Sequence, residues 1–239
     1  MFSLPESTVF GRKIPKQVFY EKADVTAAVK RLFVDYVDNI IWQNKLSPNT
    51  STSRGTIPVS KGKNVIEIEV IELQLKSDLK NLSDLLSVMD KATPHHAVFI
   101  VTLLEESQIW IGYKEIMVTN SVKEFKVTEP VYFHTDWQKR KTLGLFLEGM
   151  SIDDVYENLI RYVEPKMFKR RPDEALKQCI NRFKEYQSVD KERNQLRKKM
   201  DNEIQTNRKL KIKEQIKKLN AKIKELQTQL LHLDFSSKC

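Results

Sequence analysis

Apolar residues recur every third or fourth position along some stretches of the chain and every second position along others. From 24 to 46, in DVTAAVKRLFVDYVDNIIWQNKL, Val25, Ala28, Val29, Leu32, Phe33, Tyr36, Val37, Ile40 and Ile41 step by three and four. This predicts one amphipathic helix, with Asp24 as its cap. Residues 1–22, with Pro5, Pro15 and Gly11, read as an extended lead-in. After the helix, SPNTSTSRGTIP (47–58) reads as an exposed loop, broken by Pro48, Gly55 and Pro58. VIEIEVIELQLK (65–76) has the period of a strand. Its apolar residues sit first on even positions (Ile66, Ile68, Val70) and then on odd ones (Ile71, Leu73, Leu75). A strand alternates faces strictly, so the change of parity predicts a β-bulge near Val70 and Ile71.

SDLKNLSDLLSVMDK (77–91) puts Leu79, Leu82, Leu85, Leu86 and Met89 on one helical face. HHAVFIVTLL and QIWIGYKEIMV read as a strand hairpin, and EPVYFHTDWQ as a further strand. From Ser151 the period is helical. Ser151 with Asp154 forms a capping box at the start of SIDDVYENLIRYV. A basic linker, EPKMFKRRPDEA, leads through Arg171 and Pro172 into a helix predicted from about 173 to 233. Ile212, Ile216, Leu219, Ile223, Leu226, Leu230 and Leu233 step by four and three, which is a coiled-coil seam. Upstream, Leu196, Met200 and Ile204 step by four. No Gly or Pro interrupts QTNRKLK between the two, so a continuous helix with a phase slip is predicted rather than a fold-back.

These elements give an α+β fold. A small mixed sheet with flanking helices occupies 1–148, a helical connector and basic linker 149–172, and a long basic helix ending in a coiled coil 173–239.

Charge changes the picture most in the last part. The chain has 239 residues and a net charge of +9, with a pI of about 9.3. Between Asp190 and Leu233 there are 13 Lys and Arg against 6 acids. Such a balance points to an anionic partner, nucleic acid first and an acidic protein surface second. Lysines that merely solubilise the helix explain it too. The seam accordingly has three readings: docking on another protein or a second copy, packing on its own chain, or direct DNA contact.

Cys179 and Cys239 are too few and too far apart for a disulfide framework or a zinc knuckle, and fit reduced thiols in a cytoplasm. The N-terminal residues show no signal-peptide pattern, and no apolar run approaches the about 18 residues a membrane span needs. Six glycines leave no phosphate-binding loop, which excludes the ATP and dinucleotide fingerprints.

One stretch carries candidate chemistry. Glu72, Gln74 and Lys76 alternate, so they share a strand face. A (Glu/Gln)-x-Lys strand is the core of a large class of metal-dependent nucleases. There the acid holds Mg²⁺ and the lysine activates water or stabilises charge. Such a centre also needs a second acid. Only Glu67 or Glu69 could assist, and only if the bulge brings them to the face of Glu72. A structural strand with one solvated face accounts for the same residues. His95 and His96 could bind a metal only with a further ligand, and none lies near in sequence. His134 and Asp136 could form an acid–base pair, but no nucleophile motif accompanies them. Trp42, Trp110 and Trp137 read as core or rim aromatics.

The segments IPKQVFY, WQNKLSPNT, EIEVIELQLK, IGYK and NRKLKIKEQIKKLNAKIKEL occur in an order that resembles the bacterial domain-of-unknown-function family 4391. The likeness spans nearly the whole chain. The chain departs from the family pattern at Glu69, where Gln is expected, and at Ile71, where an aromatic is expected. The resemblance implies a setting beside DNA methyltransferases and helicases of restriction or phage-defence type, and no activity.

The expectation is therefore a cytoplasmic, non-catalytic accessory subunit without a cofactor. It would dock on a helicase or methyltransferase through Ile212, Ile216, Leu219, Ile223, Leu226 and Leu230. DNA would meet Lys198, Lys199, Arg208, Lys209, Lys217 and Lys218, and homodimerisation is a second use of the seam. The alternative is a Mg²⁺-dependent nuclease built on Glu72, Gln74 and Lys76.

Overall fold

A computed structural model describes residues 4–21, 25–48, 55–118, 125–165 and 174–231. The chain divides into two compact units, Met1–Glu164 and Pro165–Cys239.

In the first unit, the lead-in is ordered where it is described. It forms β1 (Val9–Lys13) and a short helix, α1 (Gln17–Glu21). The helix predicted over 24–46 is overturned. Only α2 (Ala27–Tyr36) is helical, with the Thr26 hydroxyl accepting from the Val29 N–H at its start; Asp24 lies outside the described residues. From Val37 the same apolar run becomes β2 (Val37–Pro48). Asp38 and Asn39 favour leaving a helix, and the β-branched residues that follow suit a sheet. Val37 and Ile40 are fully buried whichever period is read.

β3 (Thr56–Ile57) runs parallel to the end of β2, and β4 (Ile68–Leu75) pairs antiparallel with it. A crossover helix, α3 (Leu82–Ala92), leads to β5 (His96–Leu103), parallel to β4. A turn at Leu104 and Glu105 leads into β6 (Glu106–Tyr113). β7 (Ile116–Val118) and β8 (Phe125–Val127) form a small ribbon of their own. β9 (Val131–His134) and β10 (Gln138–Lys139) both pair with β6. The main sheet is mixed, eight-stranded and ordered β1-β2-β4-β5-β6-β10, with β3 beside β2 and β9 beside β6.

The bulge predicted in β4 is absent. β4 keeps unbroken register with β5 from Ile68–His96 to Leu75–Leu103. Its apolar residues change parity because the strand is central and buried on both faces, as parallel neighbours usually are. The irregularities lie in β2, where Asp38 and Gln43 are the extra residues opposite β4.

One sheet face packs under α1, α2 and α3. Phe19, Phe33, Leu82, Leu85, Leu86 and Met89 cover Ile71, Leu73, Phe99 and Val101. Each such buried side chain stabilises by about 1.5–3 kcal/mol relative to an exposed one. α4 (Ile152–Val163) opens on the predicted capping box, with Ser151 and Asp154 bonding reciprocally. It packs against β6 and β9, and the Tyr156 hydroxyl donates to the Gly112 carbonyl. The first unit therefore extends to Glu164, and the helix assigned to a connector by sequence belongs to the α/β unit.

In the second unit the predicted single rod is two helices, α5 (Leu176–Asn202) and α6 (Thr206–Leu231). The helical start proposed at Pro172 and the seam residue Leu233 lie outside the described residues. Glu203 leaves the helix in an extended conformation, and its carboxylate accepts from the Gln205 N–H. Ile204 stands almost fully exposed at the turn. The helices pack antiparallel: Lys222 Nζ lies 2.6 Å from Glu185 Oε1, and Ile223 and Leu226 cluster with Val189, Tyr186 and Leu219. No Gly or Pro marks this turn because a polar side chain closes it instead.

Candidate functional site

The structure keeps Glu72 and Gln74 together and sets Lys76 apart from them. Glu72 and Gln74 share one face of β4, and Gln74 Nε2 donates to Glu72 Oε1 at 3.3 Å. Lys76 lies past the strand end, and its ammonium donates to the Val34 carbonyl at 2.8 Å.

Glu72 is fully buried, and other side chains hold its carboxylate. Arg140, just after β10, grips it with both terminal nitrogens, Nη2 to Oε2 at 2.9 Å and Nη1 to Oε1. Gln43, the bulge residue of β2, donates to Oε2. Thr102 on β5 donates to Oε1 at 3.3 Å and bonds Ser107 at 3.0 Å. Asn39 closes the network by donating to Gln74 Oε1 at 2.9 Å. Burial pushes the Glu72 carboxyl up. The hydrogen bonds and charge of Arg140, with Gln74 and Gln43, outweigh it and hold the group below the usual carboxylate range.

Mg²⁺ does not fit here. The guanidinium already supplies the positive charge a cation would bring, and takes both carboxylate oxygens in bidentate geometry. Among the described residues no second acid joins Glu72. On a strand without a bulge, Glu69 points to the opposite face, and Glu67 engages Lys45 and Ser47 instead.

Glu67 and Glu69 have a different neighbour. The parallel register that sets Ile68 beside His96 brings His95 next to the start of β4. Ligand atoms of Glu67, Glu69 and His95 all lie within 4.8 Å of one another. Glu67 Oε2 accepts from Ser47 Oγ at 3.0 Å and lies 2.6 Å from Lys45 Nζ. Burial, and next the charge of Glu67, push the Glu69 carboxyl up to about 7. Burial lowers both histidines, His96 to about 4. His96 Nε2 is 3.3 Å from the Lys114 carbonyl, and the Lys114 ammonium lies fully buried 2.9 Å from Asp90 Oδ1. Tyr132 donates to the other Asp90 oxygen at 2.6 Å. Sequence reasoning missed this convergence because Glu67 and Glu69 lie 28 and 26 positions before His95, although a parallel β4–α3–β5 unit would have aligned them.

His134 and Asp136 make no acid–base pair. His134 stacks on Trp110 with ring centroids 4.2 Å apart, and its Nδ1 bonds the Thr135 carbonyl. Trp42 stacks on Phe10, while Trp110 and Trp137 pack against the core.

In the second unit the seam has a partner already. Ile212, Ile216, Ile223, Leu226 and Leu230 are buried, and Leu219 is half-buried. Of the readings open from sequence, packing on its own chain is the one formed at Ile223, Leu226 and Leu219. The six bases assigned to nucleic acid behave otherwise. Lys198, Lys199, Arg208, Lys209, Lys217 and Lys218 are all exposed, and none makes an ion pair among the described residues. Four of them flank the turn of the hairpin. From Arg197 to Lys213 there are seven bases against two acids. Beside the turn, Arg197, Met200, Leu210, Lys213, Ile216 and Lys217 line an open groove of about 500 Å³.

Among the described residues no helix is long and apolar enough to cross a membrane. No curated protein and no solved structure matches the chain. A family model described as a domain of unknown function, DUF4391, matches residues 2–223, and the chain belongs to that family.

Proposed function

We propose that this protein is a non-catalytic accessory module that offers a basic helical hairpin to nucleic acid. The carrying observation is the set of unpaired, exposed bases around the hairpin turn. Surface lysines are stabilised by nearby acids, as Lys222 is by Glu185 across this hairpin. Arg208 and Lys209 also sit in the first turn of α6, at the positive end of the helix dipole, where cations are disfavoured. A polyanion removes both costs by taking up the charge. Docking on a helicase or methyltransferase in a bacterial restriction or phage-defence assembly, within the cytoplasm, belongs to the same proposal and rests on the family likeness.

The rival nuclease reading is disfavoured by the Arg140–Glu72 pair. One experiment separates the two. The purified chain is incubated with plasmid and Mg²⁺ or Mn²⁺ and resolved on a gel. Retarded but intact DNA is expected, with retardation lost in the chain carrying Lys198→Gln, Lys199→Gln, Arg208→Gln and Lys209→Gln. Cleavage that Glu72→Gln abolishes would overturn the proposal.

A further inference from the structure

The geometry points to a divalent transition-metal site formed by Glu67, Glu69 and His95 at the paired starts of β4 and β5. This site is independent of the nucleic-acid reading and uses residues on the opposite sheet face from Glu72.

Convergence is the first observation: one ligand atom from each residue lies within 4.8 Å of the others. The second is that, among the described residues, nothing donates a hydrogen bond to Glu69, and Lys114 and Lys45 act on it only at a distance. It is only 8% exposed, yet its carboxylate accepts no hydrogen bond among the described residues. The His95 ring makes none either. A side chain this deeply enclosed usually finds a donor. Here the carboxylate oxygens, still within reach of water, face a second carboxylate and an imidazole, an arrangement that a shared cation satisfies. Ser47 donates to Glu67 Oε2 and orients it, as outer-shell partners orient a ligand.

The donor set selects the metal class. Two carboxylates and one imidazole suit Zn²⁺ or Mn²⁺, and three protein ligands leave a coordination position open. Ligand atoms around one such ion stand closer than 4.8 Å, so binding would draw the three side chains inward. Lys45 competes for Glu67, so its removal should favour the ion.

The rival explanation is a proton: a protonated Glu69 would quiet the same cluster. Isothermal titration of the full chain with Zn²⁺ and separately with Mn²⁺, at neutral pH, distinguishes the two. One ion per chain is expected, with proton release visible as a dependence of the heat on the buffer. Glu69→Gln and His95→Ala should each weaken binding at least about tenfold, the loss seen when metal sites are perturbed. His134→Ala, a histidine outside the cluster, should leave it unchanged. Lys45→Met should tighten binding, a gain that misfolding could not produce. No saturable binding, or equal affinity in wild type, Glu69→Gln and His95→Ala, would overturn the inference, as would a Lys45→Met chain that binds no tighter.

Discussion

Glu72 carries a full charge inside the sheet because Arg140 holds it there. Removing one partner of a buried ion pair typically costs about 3–5 kcal/mol, since the other is left uncompensated. The Arg140 head is 39% exposed, so water moderates the loss, and Arg140→Ala is expected to cost about 2–3 kcal/mol in chemical denaturation. Glu72 also sets an acid limit. Its folded carboxyl titrates below its ordinary value, so the stability it contributes is present above that value. That stability is lost as pH falls through the lower folded one. Glu69 has the opposite sign. Its folded value, about 7, lies above the ordinary 4.5, so the folded state binds the proton more tightly. Stability from this group is full below about 4.5 and declines as pH rises to about 7, by on the order of 3 kcal/mol in all. In a metal chelator, Glu69→Gln should flatten the decline measured between pH 5 and about 8; an unchanged slope would show that another group titrates there. Little of this was legible in the residues themselves. Glu72 stood out as an acid in a strand, but Arg140 is 68 positions away, and Gln43 reaches it only through a bulge.

Elements were readable where their signals are local. The Ser151–Asp154 capping box fixes its own helix start within four residues, and α3 shows its buried stripe at Leu82, Leu85, Leu86 and Met89. Inside the sheet, local signals mislead. β2 continued the spacing of α2 and read as more helix, while β4 changed parity and read as bulged, although both are central strands. The seam was legible as a seam, but its partner was not, because Glu203 makes the turn without Gly or Pro. Spin labels at positions 185 and 222, with Cys179 and Cys239 replaced by Ser, test the hairpin by electron double resonance. A continuous helix rising about 1.5 Å per residue would hold them about 55 Å apart. Packed antiparallel helices have axes about 8–10 Å apart, so a distance well under about 30 Å is expected. A broad peak near the longer value would restore the rod.

At the scale of the whole molecule, the charge has a place to act. Ile212, Ile216, Ile223, Leu226 and Leu230 of α6 are buried, and the lysines and arginines between them face water. Arginine and lysine that neutralise phosphates release counterions, so binding weakens steeply with salt. This makes the central claim quantitative. Fluorescence anisotropy of a labelled DNA duplex, titrated with the full chain across a range of salt, measures it most directly. Contact with about five phosphates gives a slope of log K against log salt of about −4 to −5. Lys198→Gln, Lys199→Gln, Arg208→Gln and Lys209→Gln together should bring the slope to about −1 while circular dichroism stays unchanged. No binding at low salt, or a slope the four substitutions do not move, would contradict the account.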